Sequence, residues 1–302
     1  MSRTVVALAL AAVLDGPDAA RAAEPLRVLF IGNSYTYVNN APEIFAALAR
    51  AAMPDREVET RMVAIPGATL LSTWEHPEAR SALRFLKWDF VVLQDQSLLG
   101  EGLRDGRFVV NSPTLLHWGA RLFDGEIREH GARAVLLLTW ARRAEPDQQA
   151  DLDFAYDSVA RDLRATLAPV GRAWQRVRQE NPGLELYASD GSHPSPAGSY
   201  LLASTLVSTL FPDADREAPS AIWGHPVRGD GVVDDRRKVL LVSMGGDEAR
   251  RLRALARSVV NEVRQQGGSL NARPPDRSEA GPFAAPPLPA DRLVGHWTGE
   301  LT

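Results

Sequence analysis

The sequence predicts a three-layer α/β domain built on a parallel sheet, and two observations carry that expectation. Short apolar runs recur along residues 26–170, continuous rather than alternating, as strands buried on both faces require. Between them lie segments with helical periodicity, and strand alternating with helix implies parallel strands joined by crossover helices. One domain over residues 25–267 would hold all of them. Sites in such sheets form beyond the carboxyl ends of the strands.

Residues 26–31 (LRVLFI) read as the first strand, followed by a helix over 42–53. A second strand over 58–63 and a helix over 78–86 precede a third strand at 90–93 (FVVL). Ser112-Pro113 has the form of a helix start, serine as N-cap and proline in the first helical position, for a helix reaching His130. The fourth strand is 134–139 (AVLLLT), then a helix over 151–167, a fifth strand at 168–170 and a short helix at 173–179. Helices over 197–210 and 248–265, the last amphipathic and rich in arginine, complete the domain.

Composition narrows the function. The 302 residues are 45% hydrophobic and 24% charged, the balance of a globular chain rather than a disordered one. A formal charge of −4 argues against nucleic acid as a partner. The absence of cysteine excludes disulfides, thiolate zinc sites and a cysteine nucleophile. No apolar run reaches the ~18 residues of a membrane span. Residues 1–23 have the layout of a secretory signal peptide: Arg3, an apolar run from Val5 to Leu14, and Ala20-Arg21-Ala22 before the cut. The expected mature chain starts near Ala23 and works in the periplasm or outside the cell. Residues 268–290, with Pro274-Pro275 and Pro286-Pro287, read as a linker, and 291–302 as the start of a truncated β domain.

The strand ends carry the chemistry. After the first strand, Gly32 permits a tight turn and Ser34 falls where a nucleophile would be exposed. Serine needs a base to take its proton, and Asp190-Gly191-Ser192-His193-Pro194 places a carboxylate three residues before an imidazole. Asp190 could then hold Nδ1 of His193 and leave Nε2 as the base for Ser34. Gly67 follows the second strand, where its backbone N–H could approach a ligand oxygen. Gln94 and Gln96 follow the third, and the Gln96 amide could donate to an oxyanion, with Gln94 a competing donor. Asn33, Tyr35 and Trp140 lie beside strand ends and are candidates for the pocket wall or the core. The histidines form no metal-ligand spacing.

These segments resemble the SGNH/GDSL hydrolases, in a bacterial branch with a GNSYT block. Phe30-Ile31-Gly32-Asn33-Ser34-Tyr35-Thr36 resembles the nucleophile block, Pro66-Gly67-Ala68-Thr69 the glycine block and Asp190-Gly191-Ser192-His193-Pro194 the terminal block. Val91–Ser97 stands in place of the asparagine block, with Gln96 at the asparagine position. The resemblance implies a flavodoxin-like sheet of about five parallel strands and no metal or organic cofactor. It implies Ser34, Asp190 and His193 as catalytic residues, and an oxyanion hole of Ser34, Gly67 and Gln96. The expected activity is hydrolysis of small-molecule or carbohydrate esters with short acyl groups of the acetyl type. A non-catalytic exported ligand- or carbohydrate-binding module on the same fold is the alternative.

Overall fold

β1 (Leu26–Gly32) shows how the chain partitions its apolar residues. Side chains alternate across a strand, so Val28 and Phe30 enter one apolar cluster while Leu29 and Ile31 enter another. Both faces of this strand are covered, which is why its sequence is nearly continuously apolar. The computed structural model describes residues 24–266, apart from 101, 105 and 213–216. The predicted signal segment, the linker and the final β segment lie outside the described residues.

The chain continues through α1 (Ser34–Tyr37), α2 (Ala41–Ala52), β2 (Val58–Ala64), α3 (Leu70–Glu75), α4 (Pro77–Phe85) and β3 (Phe90–Leu93). Next come a short hairpin of β4 (Leu103–Arg104) and β5 (Arg107–Phe108), then α5 (Thr114–Glu129), β6 (Arg133–Leu137), α6 (Gln149–Leu163), β7 (Thr166–Ala168) and α7 (Val170–Glu180). The last elements are α8 (Pro196–Leu210), the antiparallel pair β8 (Ala221–Gly224) and β9 (Val239–Ser243), and α9 (Gly246–Gln265). The main sheet has five strands in the order β2-β1-β3-β6-β7, and each adjacent pair is parallel. Buried residues of α2, α7, α8 and α9 cover one face; those of α3 to α6 cover most of the other. The result is the three-layer α/β fold that the alternation predicts, with its topological switch between β1 and β3.

Three details differ from expectation. The helix begins at Thr114, one residue later than expected, although Ser112 Oγ accepts the Thr114 N–H at 3.4 Å and pairs with Thr114 Oγ1 at 2.8 Å. The fifth strand is Thr166–Ala168, earlier than 168–170, because Arg164 ends α6 in the left-handed conformation (φ 48°). Val170 then opens α7 instead of closing a strand. The two hairpins lack strong apolar alternation, and the sequence pattern missed them.

Two glycines test the packing. A Cβ on Gly171 would lie 2.1 Å from the backbone oxygen of Thr139 and 2.3 Å from Nε2 of Gln149, with a backbone atom that cannot swing away. Gly171→Ala should lower unfolding free energy by roughly 1–3 kcal/mol or more. Gly125, on the exposed face of α5 with nothing within 4 Å, should gain about 0.4–1 kcal/mol as alanine. Denaturant melts of the two variants check both signs.

Candidate active site

The turn after β1 is built from its own polar side chains. Asn33 is extended, and its Oδ1 accepts the N–H of Tyr35 at 3.0 Å, so the chain turns into α1 with Ser34 as its first residue. A first-turn N–H has no intrahelical acceptor, and the Ser34 N–H makes no hydrogen bond to another described residue. Asn33 Nδ2 donates to the carbonyl of Ala68 at 2.9 Å, tying this turn to the segment after β2. There Gly67 adopts φ +67°, the left-handed region that glycine enters without strain, and its N–H is also unpaired among the described residues.

Gln94 joins β3 to the same turn. Its Oε1 accepts from Asn33 N at 3.0 Å and Thr36 Oγ1 at 2.8 Å; its Nε2 donates to Asn33 Oδ1 at 2.9 Å and to the carbonyl of Asp95. Gly32 makes room for this amide, since a Cβ there would sit 2.5 Å from Gln94 Oε1. Every polar atom of Gln94 is engaged, so the structure removes it as a competing oxyanion donor and from the pocket wall. Gln96 is held differently. Its Oε1 accepts from Leu98 N at 2.5 Å and Gly100 N at 3.3 Å, and its Nε2 makes no hydrogen bond to another described residue.

Asp95, between the two glutamines, is fully buried. Its Oδ1 accepts from Leu70 N at 2.7 Å and Gln96 N at 2.8 Å, and its Oδ2 has no partner. Burial pushes its pKa up from 3.8 to about 6, against the pull of those two backbone donors.

The segment from Asp190 to Pro194 closes on the β1 turn. Asp190 Oδ1 accepts the N–H groups of Ser192 (2.9 Å) and His193 (3.0 Å), and its Oδ2 meets His193 Nδ1 at 2.5 Å. Desolvation raises the Asp190 pKa, but the hydrogen bonds from the His193 ring and from the Ser192 and His193 N–H groups outweigh it and hold the carboxyl below its ordinary value. His193 Nε2 then lies 2.8 Å from Ser34 Oγ, although 159 residues separate the two in sequence. Together Ser34, His193, Gly67 and Gln96 line a cavity of about 320 Å³, with Asn33, Tyr35 and Arg142 among its other walls.

No family model and no curated protein matches the sequence. Solved structures do. A protein of Slackia heliotrinireducens assigned to the SGNH hydrolases is 31% identical, with a TM-score of 0.51; the match spans 62% of this chain and 100% of that one. The chain belongs to the SGNH hydrolase family. As an SGNH hydrolase it is an enzyme of ester-bond hydrolysis. An alpha/beta hydrolase from the metagenome of Lake Arreo shares the fold at 19% identity, with a TM-score of 0.50 over 61% of this chain and 94% of that one. Among the described residues of this SGNH hydrolase, no helix is long and apolar enough to cross a membrane, and no group of three or more metal-ligating side chains gathers.

Two of the residues expected near the pocket are placed elsewhere. Trp140 is buried behind the site, stacked between Tyr35 (4.5 Å between ring centroids) and Trp174 (4.0 Å), with Nε1 donating to the carbonyl of Ser192 at 3.0 Å. Gln94 lies beneath the cavity floor. Sequence reading missed Arg142, which follows β6 as the other candidates follow their strands, and Ser192, whose Oγ meets the Tyr35 hydroxyl at 2.7 Å.

Asp95 gives the SGNH hydrolase a pH signature. Its folded-state pKa lies above its unfolded value, so the unfolded chain loses the proton first as pH rises. The stability this group contributes below about pH 4 is lost by about pH 6, an amount of up to about 3 kcal/mol. Asp95→Asn should abolish that slope. Unfolding free energies at pH 4 and pH 7 for both proteins check it, and equal slopes would contradict it.

Proposed function

We propose that this SGNH hydrolase is an exported serine esterase that cleaves short-chain, acetyl-type esters of small or carbohydrate alcohols through an acyl-enzyme. The observation that carries the reading is the relay from Asp190 to His193 Nδ1 and from His193 Nε2 to Ser34 Oγ. The imidazole tautomer with its proton on Nδ1 is the one Asp190 favours, and it presents an unprotonated Nε2 to the serine. As Ser34 Oγ attacks the ester carbonyl, His193 takes its proton and Asp190 stabilises the imidazolium. The carbonyl oxygen becomes an oxyanion, for which the Ser34 N–H, the Gly67 N–H and Gln96 Nε2 are unspent donors. Breakdown transfers the His193 proton to the departing alcohol. Water, deprotonated by the same nitrogen, then attacks the acyl group and restores Ser34.

The extra methylene of Gln96 relative to asparagine is absorbed by the bend that brings its Oε1 back to Leu98 and Gly100. The N-terminal run from Arg3 to Ala22 supports export.

Hydrolysis of p-nitrophenyl esters tests the reading. Acetate should be turned over and palmitate hardly at all. Ser34→Ala and His193→Ala should lose roughly 10⁴-fold or more in kcat, and Gln96→Ala about 10²–10³-fold. A folded protein with no activity toward any ester would favour the non-catalytic binding module, and a preference for palmitate would overturn the short-chain assignment. Export is checked by N-terminal sequencing of the protein recovered outside the cytoplasm. The account expects a start near Ala23, and an uncleaved cytoplasmic chain would contradict it.

A further inference from the structure

Arg142 brings a positive charge to the active-site cavity, and among the described residues no carboxylate pairs with it. It lines the cavity together with Ser34, Gly67, Gln96 and His193, and no lysine or second arginine shares that wall. Its guanidinium carbon lies 4.3 Å from the ring centroid of Phe108, so one face is stacked on the β4–β5 hairpin. Its Nε is buried and has no hydrogen-bond partner. The neighbouring arginines are satisfied: Arg143 meets Glu185 at 2.7 Å, and Arg107 forks onto Glu145 at 2.6 and 3.2 Å. No carboxylate of the described residues is within ion-pair distance of Arg142.

A guanidinium stays charged at every pH a protein meets, and a buried donor left unpaired is unfavourable. A guanidinium stacked on one face and lining a substrate cavity is suited to a planar anion delivered by the substrate to its Nη groups, the buried Nε being out of a ligand's reach. The position of Arg142 indicates which part of that substrate it reads. The loop after β6 is joined to the His193 loop: Arg143 N donates to the carbonyl of Gly191 at 2.9 Å, and Trp140 Nε1 to that of Ser192 at 3.0 Å. In the mechanism proposed above the departing alcohol takes its proton from His193, whose loop is tied to the one that carries Arg142. Resting on the esterase reading above, we propose that Arg142 binds a carboxylate on the alcohol half of the ester. The preferred substrates are then acyl esters of acidic alcohols, such as O-acetylated uronic acids. A phosphate fits less well, because its extra charge would meet one cation in this cavity.

Acetate release from three compounds tests the inference: an O-acetylated methyl uronoside, its neutral uronamide, and an O-acetylated sugar phosphate. The wild-type enzyme should favour the acid over the amide by roughly tenfold or more in kcat/KM, and the acid over the phosphate. In Arg142→Gln the acid-to-amide ratio should fall toward one. In Arg142→Lys, which keeps the charge but not the fork, it should be intermediate. A wild-type ratio near one, or an Arg142→Gln enzyme that keeps the preference, overturns the inference; so does a preference for the phosphate. If p-nitrophenyl acetate is hydrolysed while acid and amide are treated alike, the error lies with Arg142 alone. If neither p-nitrophenyl acetate nor any of the three is hydrolysed, the esterase reading falls and takes the inference with it.

Discussion

A buried amide, Gln94, sits at the point where β1 and β3 part, and the site is arranged around it. Strands of a parallel sheet end with polar backbone to satisfy, and an unsatisfied buried donor or acceptor costs about 1–3 kcal/mol. Gln94 answers this at the switch point by bonding Asn33, Thr36 and the Asp95 carbonyl at once. Gly32 must then lack a side chain, and Asn33 must turn toward Ala68, which brings the Gly67 segment alongside Ser34. The Ser34 turn, the Gly67 segment and the Gln96 loop are thus set relative to one another by hydrogen bonds among their own residues and Gln94.

His193 is held by a second, mostly apolar device. Trp174, Trp140 and Tyr35 form a continuous stack, and the Tyr35 ring meets His193 edge-on at 5.6 Å. Rings of this size bring large apolar burial and restrict their neighbours to few rotamers. Two polar edges of the stack are spent on the His193 loop, Trp140 Nε1 on the Ser192 carbonyl and the Tyr35 hydroxyl on Ser192 Oγ, while Trp174 Nε1 is buried with no partner among the described residues. Since Tyr35 follows Ser34, the same ring braces both Ser34 and His193. Gln149 serves the loop after β6 in the way Gln94 serves β3, accepting from Ala141 N at 2.8 Å and donating to the Thr139 carbonyl. That loop carries Arg142.

Much of this was legible before any coordinates, for physical reasons. Continuous apolar runs of a few residues mark strands buried on both sides, so β1, β3 and β6 were found within one or two residues of their ends. Polar residues directly after such runs must be capping or chemistry, which pointed to Ser34, Gly67 and the two glutamines. The roles of Gln94 and Gln96 were not separable in sequence, because strand alternation stops at Leu93 and no longer says which side chain points inward. Gln94 turned under the site and Gln96 toward it. The start of α5, the place of β7 and both hairpins depended on turn conformations, such as left-handed Arg164, that residue type alone does not announce. Trp140 was visible as an aromatic at a strand end, but its place in the stack depends on Trp174, which comes from α7. Arg142 was overlooked because one arginine among many is distinctive only once its neighbours are seen to be paired.

The central claim is that Ser34 is an activated nucleophile, and covalent labelling tests it most directly. The purified protein would be treated with a fluorophosphonate and the modified residue located by mass spectrometry. The account predicts a single adduct on Ser34, lost in Ser34→Ala and greatly slowed in His193→Ala. A folded wild-type protein that takes up no label, or carries it on another residue, would contradict the account.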